Sequence, residues 1–325
     1  MVKSNIFIFI VLSLLFSLAI DVLLGEMPSK IHPVVIIGKF IDFFKNIFIK
    51  IKNKFSGFLT SFCVISVSCV ILYIIYYFVS FNYILMFIIF SILFSSTFSV
   101  KMLLKTALDV KNDLDESIDK ARKSVSYLVS RNTDELTECF IVSATIESLT
   151  ENITDSYVAV ILYYFVFSFI VIIYDINLYY LLIVPFIYRI FNTLDAMLGY
   201  KTDKLIYIGF FPAKVDDILN YIPARISGIY IVISSYLLKL DGKNAFKIMI
   251  RDARNCPSPN SGYTMASTAG ALNIQLIKKD TYILGDSINE ITSHDILNAT
   301  KLSSLSIILF TLTVIILYIL IWVII

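Results

Sequence analysis

The chain has 325 residues, 58% hydrophobic and 16% charged, with a net charge of +2 and a mean hydropathy of +0.82. A soluble domain carries about 25% charged residues, so the composition excludes an ordinary soluble protein, and the near-neutral balance gives no basis for nucleic-acid binding. Four cysteines, Cys63, Cys69, Cys139 and Cys256, form no CxxC pair, and only two histidines are present, so neither a zinc site, a disulfide framework nor a histidine-rich metal centre is indicated.

Residues 4–24 form the first apolar run, with Lys3 before it and no small-residue cleavage site after it, which predicts a retained span. Gly25 to Val34 holds Pro28 and Pro33, which predicts an ordered turn flanked by Asp21 and His32. Ionisable groups at membrane depth are functional candidates by default. Residues 55–100 contain no Asp, Glu, Lys or Arg. That length accommodates two helices of about 20 residues, predicted at 57–79 and 82–100 with a turn near Ser80-Phe81-Asn82. In 101–155 the apolar residues Leu103, Leu104, Ala107, Leu108, Leu114, Ile118 and Ala121 recur at helical spacing. Two helices joined near Ser130 to Thr133 are expected there, with Asn132 or Thr133 capping the second.

Glu147, Glu151 and Asp155 stand four apart and so share one helix face, directly before the charge-free span 156–174. Like charges at this spacing destabilise a bare helix, so a metal ion or basic side chains should compensate them. The next span is expected at 176–195; it places Arg189 inside the bilayer, with Asn192 and Asp195 three and six residues on. Asp216-Asp217 and Asn220 precede Tyr221-Ile222-Pro223-Ala224-Arg225. Adjacent carboxylates repel, and together with Glu147, Glu151 and Asp155 they suit a Mg²⁺–phosphate site, because Mg²⁺ takes oxygen ligands and shares them with phosphates. Residues 226–238 are too short to span comfortably and read as re-entrant or interfacial. In 239–302, expected to be a small helical subdomain, Arg251 and Arg254 precede a loop, Ser258 to Gly262, that enters a small-residue helix. Such a helix start can present N–H groups to an anion, and arginine suits phosphate or carboxylate. Residues 303–325 make the last span.

The expected fold is therefore all-α: a polytopic integral membrane protein of about six membrane helices, within a range of five to seven, forming one membrane-embedded domain. Segments 25–54, 101–155, 196–225 and 239–302 would share one side of the membrane and hold 25 of the 27 Lys and Arg residues. The positive-inside rule makes that side the cytoplasm and puts both termini outside. No phosphate-binding G-x-x-x-x-G-K-[ST] loop, G-x-G-x-x-G turn or G-x-S-x-G elbow is present.

Six stretches occur in an order that resembles one family: GEMPSKIHPVVIIGK (25–39), LVSRNTDEL (128–136), ATIESLTENITDSYVA (144–159), NTLDAMLGYK (192–201), AKVDDILNYIPARISG (213–228) and SPNSGYTMASTAGAL (258–272). Together they resemble the CobD/CbiB family of membrane-bound cobinamide-phosphate synthases of vitamin B12 biosynthesis. Asn132 departs from the family's usual Asp, and Ser156 and Val160 stand near positions that are often Gly and Pro. The resemblance implies ATP-dependent amide ligation of (R)-1-amino-2-propanol, as its O-phosphate or free, to a propionate carboxylate of adenosylcobyric acid. The product is adenosylcobinamide phosphate or cobinamide. It implies ATP and Mg²⁺ with no tightly bound prosthetic group, and association with other corrinoid-assembly enzymes. Under this reading Glu147, Glu151, Asp155, Asp216 and Asp217 are the catalytic candidates, with Glu147, Glu151 and Asp217 as Mg²⁺ ligands. His32, Lys39, Arg131, Asn152, Asp195, Lys201, Asn220, Arg225, Ser258 and Asn260 are expected to bind substrate or phosphate. Two rival readings stand beside it: a transporter of corrinoids or anionic metabolites, suggested by Arg189 and a broken helix at 226–238, and a membrane scaffold for corrinoid enzymes.

Overall fold

A computed structural model describes residues 3–324. In chain order its helices are α1 (Lys3–Leu23), α2 (Pro33–Phe48), α3 (Phe55–Val79), α4 (Tyr83–Ser95), α5 (Lys101–Glu116), α6 (Ile118–Val125) and α7 (Glu138–Ile153). A π-helical turn, Thr154–Val158, then leads into α8 (Ala159–Tyr174). There follow α9 (Leu178–Leu198), α10 (Phe210–Leu219), α11 (Tyr221–Leu237), α12 (Gly242–Asp252), α13 (Gly262–Leu272) and α14 (Ser293–Ile324). The strands β1 (Leu276–Lys278) and β2 (Tyr282–Leu284) form one antiparallel hairpin.

The all-α membrane architecture expected from the composition is what the chain adopts. Among the described residues, five helices are long and apolar enough to cross a membrane: Lys3–Leu23, Phe55–Val79, Glu138–Tyr174, Leu178–Leu198 and Ser293–Val323. The pair Phe210–Leu219 and Tyr221–Leu237 makes a sixth if it is one broken span. Phe58, Phe62, Val70 and Ile71 of α3 are exposed, as a lipid-facing helix requires. The expected span at 82–100 is instead the 13-residue α4, about 20 Å long at 1.5 Å per residue and so short of a bilayer's roughly 30 Å. It stops because Ser95, Ser96 and Thr97 turn their hydroxyls onto carbonyls three residues back. The break in 101–155 falls at Ser117, whose hydroxyl caps α6, and the next helix starts after Thr137 rather than at Asn132 or Thr133.

The chain divides into two compact units. The first comprises Met1–Ser99, Ala159–Leu219 and Tyr318–Ile325. Its interior is aromatic: Phe94 stacks on Tyr164 with ring centroids 4.2 Å apart, and the Tyr164 hydroxyl donates to Ile10 O at 3.0 Å. Satisfying a hydroxyl on a backbone carbonyl is how an apolar interior tolerates tyrosine.

The second unit comprises Val100–Val158 and Asn220–Leu317. Its core joins Val142, Ile146 and Leu149 of α7 to Met265, Ala269 and Leu272 of α13, Leu276 and Leu284 of the hairpin, and Ile296 and Ala299 of α14. Small residues let α13 pack backbone to backbone on α12: a Cβ at Gly270 would lie 2.6 Å from Asn244 O. The hairpin departs from the purely helical subdomain expected for 239–302. Its three-residue loop turns through Asp280 at φ 57 and closes with Thr281 N donating to Lys278 O. Gly285, at φ +81, ends β2 where a Cβ would meet Ile274 O at 2.3 Å.

Candidate active site

In the second unit, α7 is buried on every side from Ile141 to Thr150, and Glu147 sits in the middle of that stretch. A carboxylate there must be satisfied by protein donors, and three reach it. Ser143, one turn back on the same face, donates its hydroxyl to Glu147 Oε1 at 2.6 Å. Tyr282 of β2 donates to Oε2 at 2.9 Å, and Arg131, on the loop before α7, approaches Oε2 at 3.4 Å. Burial and the neighbouring Glu147 push the Tyr282 phenol upward, so the tyrosine remains a donor. The Arg131 Nε is buried with no hydrogen-bond partner among the described residues.

One turn on, Glu151 is half-buried, as is Asp155, and the π turn begins between them at Thr154. A π turn bonds i to i+5 and so interrupts the even four-residue row read from sequence. Thr145 and Thr150 donate to carbonyls four residues back at 2.8 Å, whereas the buried Thr154 hydroxyl has no hydrogen-bond partner among the described residues. Asn152 donates to Ser148 O at 2.8 Å. Cys256 is buried close enough to feel both carboxylates; burial first, then Glu151 and Glu147, push its thiol up to about 12, so it is an inert packing group.

The loop after Cys256 continues to the second cluster. Arg225 of α11 lies 3.4 Å from the Tyr221 ring centroid and 4.3 Å from that of Tyr263, and donates to Asn260 Oδ1 at 3.1 Å. Stacking between two aromatic faces fixes the plane of a guanidinium. Asn260 is buried, and its N–H donates to the half-buried Ser258 Oγ at 3.2 Å. Asn220, at the start of α11, is buried as well.

In the first unit, His32 caps α2: its Nδ1 accepts from Val34 N at 3.2 Å. Burial foremost, and Arg189 after it, hold the imidazole below its ordinary range, partly offset by Glu26. Arg189 donates to Asn192 Oδ1 at 3.1 Å. Half-buried Asp195 and Asp217 lie near enough for their charges to repel, and Lys214 meets Asp217 at 3.2 Å. Asp216 is buried, while Lys39 and Lys201 are exposed.

The residues expected from sequence thus fall into two sets. Arg131, Glu147, Glu151, Asn152, Asp155, Asn220, Arg225, Ser258 and Asn260 belong to one unit, and His32, Lys39, Asp195, Lys201, Asp216 and Asp217 to the other. Among the described residues no group of three or more His, Cys, Asp or Glu is gathered in a way that could hold a metal ion. Ser143 and Tyr282 were not among the expected residues. The four-residue step from Ser143 to Glu147 was visible in the sequence; the arrival of Tyr282 across 135 residues was not.

A family model described as CobD/Cbib protein matches residues 14–322. The "Probable cobalamin biosynthesis protein CobD" of Methanothermobacter thermautotrophicus is 42% identical over 299 residues, covering 92% of this chain and 95% of the relative. The protein of the same description from Methanocaldococcus jannaschii is 38% identical over 317 residues, covering 95% and 97%. The "Cobalamin biosynthesis protein CobD" of Clostridium tetani is 38% identical over 210 residues, covering 60% of this chain and 61% of the relative. No solved structure matches.

Proposed function

The chain belongs to the CobD/Cbib family, and on that premise we propose that it acts in cobalamin biosynthesis as an acid–amine ligase. It joins (R)-1-amino-2-propanol, as its phosphate or free, to a propionate carboxylate of adenosylcobyric acid. The observation that carries this reading is the Arg131–Glu147 pair. A guanidinium held against a buried carboxylate, with a buried Nε–H left over, is an anion receptor kept in one orientation. Two substrates of the reaction bring anionic oxygens to such a receptor, the propionate of the corrinoid and the phosphates of ATP.

ATP would drive conversion of the carboxylate, a poor acyl donor at neutral pH, into one that an amine can attack. Mg²⁺ keeps several waters and asks for one or two carboxylates together with substrate phosphates. Glu151 and Asp155, half-buried carboxylates on either side of the start of the π turn, are the residues that would hold it. Glu147 fits it less well, because protein donors already take both its oxygens; its task is to hold Arg131. Arg225, its plane fixed by two rings, suits a second anionic group, and Asn260 and Asn220 suit the amide-rich rim of a corrinoid. In the other unit the half-buried carboxylates Asp195 and Asp217 lie near enough for their charges to repel, an arrangement that by itself suits a cation. The same reading puts segments 101–155 and 239–302, which carry Arg131, Glu147 and Asn260, on the cytoplasmic side, where nucleotide is available.

The test uses detergent-purified protein with adenosylcobyric acid, ATP, Mg²⁺ and either aminopropanol or its phosphate, followed by mass spectrometry of the corrinoid. A mass gain matching either amine supports the ligase and identifies the amine. An unchanged corrinoid, with the protein folded and the corrinoid bound, overturns it in favour of transport or scaffolding.

A further inference from the structure

The hairpin delivers to Glu147 a group that α7 alone does not hold. Lys278 pairs with Tyr282 across the hairpin, and residues paired in this way project from the same face. On that face the Tyr282 hydroxyl reaches Glu147 Oε2 at 2.9 Å. Two further bonds fix where the hairpin lies. Ile277 N donates to Ser143 Oγ at 2.8 Å, and the same hydroxyl passes its own hydrogen to Glu147 Oε1. At the far end, Gly285 N donates to Asp252 Oδ2 at 2.8 Å, and buried Asp252 is gripped by Arg251 through Nε at 2.6 Å and a terminal nitrogen at 2.8 Å. The tyrosine therefore has little freedom to leave the carboxylate.

Resting on the ligase reading above, we infer that Tyr282 is a positioning residue: its hydroxyl fixes the Glu147 carboxylate, and Glu147 in turn fixes the Arg131 guanidinium that receives an anionic oxygen of the substrate. Tyr282 itself touches no reacting group. The ligand class is an oxyanion, supplied either by the corrinoid propionate or by a nucleotide phosphate. Without the hydroxyl, Glu147 Oε2 keeps only the 3.4 Å approach of Arg131, and the carboxylate, held by Ser143 at Oε1 alone, is freer to turn and lets the guanidinium turn with it. The loss should therefore fall on binding of the anionic substrate rather than on the rate of the bound complex.

The test is a double-mutant cycle of Tyr282→Phe and Glu147→Gln on the full chain in detergent. Ligation is followed by corrinoid mass, with adenosylcobyric acid and ATP varied separately. Tyr282→Phe should raise KM for one of the two by about tenfold, with kcat changed less than about threefold, the effect of losing one hydrogen bond to a charged group. A rise confined to adenosylcobyric acid assigns Arg131 to the carboxylate; a rise confined to ATP assigns it to phosphate. In the Glu147→Gln background the Tyr282→Phe effect should vanish, because the tyrosine acts through that carboxylate. An unchanged KM, or an effect that adds in full to that of Glu147→Gln, overturns the inference. Should Tyr282→Phe fail to fold, Ser143→Ala removes the donor from the other oxygen and must show the same non-additivity with Glu147→Gln. Lys279→Ala, on the exposed loop, should match the wild type. A wild-type protein that makes no amide product refutes the ligase reading, and the inference with it; a wild type that does, beside an unchanged Tyr282→Phe, refutes the inference alone.

Discussion

Replacing Glu147 by Gln keeps the side chain's volume and removes its charge, so it isolates what the carboxylate does. The amide retains one acceptor oxygen and turns the other into a donor. Either Ser143 or Tyr282, which donate at 2.6 and 2.9 Å, must then rotate its hydroxyl to accept. The Arg131 contact at 3.4 Å loses its countercharge. Coulomb attraction at that separation is about 5 kcal/mol with an effective dielectric near 20. Part of this is offset, because the carboxylate no longer needs to be desolvated, which leaves a net loss of about 3 kcal/mol. For a unit of this size that lowers the midpoint of thermal unfolding by on the order of 5–10 °C. Releasing the Arg131 guanidinium from its fixed orientation should also lower kcat/KM for ligation by about tenfold or more, the worth of one hydrogen bond to a charged group. Unfolding would be followed by the fluorescence of detergent-solubilised protein on heating, and ligation by corrinoid mass. A Glu147→Gln protein that melts with the wild type and ligates at its rate would refute the claim that this carboxylate organises the site.

Gly285→Ala should destabilise by about 2 kcal/mol or more, since alanine pays for a left-handed backbone and its Cβ meets Ile274 O; an unchanged unfolding midpoint would contradict the hairpin anchor. Arg225→Lys should weaken substrate binding about tenfold while the fold stays intact, because lysine keeps the charge but neither stacks on the Tyr221 and Tyr263 rings nor reaches Asn260 Oδ1 and Pro259 O with two nitrogens at once; equal affinity in equilibrium binding would remove Arg225 from the site. His32 titrates lower when folded than its ordinary 6.5, so its neutral form is favoured in the native state and the unfolded chain binds more protons. Its contribution is therefore complete above about pH 6.5 and lost as pH falls below that value. Melting of the wild type should drop from pH 7.5 to 5.5 by more than that of His32→Asn, which keeps a capping side chain without the titration; parallel curves would sink this account.

How much was legible in the sequence differs from element to element. The charge-free runs became α1, α3, α8 and α14 because partitioning into lipid depends on local composition alone. Segment 82–100 misled because its hydropathy is high throughout, yet three consecutive hydroxyls at Ser95, Ser96 and Thr97 bond back to the chain and end the helix. The hairpin at 276–284 was missed because three-residue strands are too short to show alternation. Its turn rests on Asp280 in a left-handed conformation, which the residue type permits but does not demand.

The sequence by itself determined that this is a predominantly helical membrane protein with acidic side chains at the mouth of an apolar segment, and its ordered motifs led to the family. These are short-range properties: spacing along one helix, charge along one run, residue order in one stretch. Tertiary structure alone decided what surrounds each carboxylate. Glu147 is a buried, triply satisfied group because Tyr282 arrives from 135 residues away and Arg131 folds back onto it. Glu151 and Asp155 are half-buried, one before the π turn and one within it. What a carboxylate anchors depends on the donors within about 3 Å, and no local pattern records which distant residues will supply them.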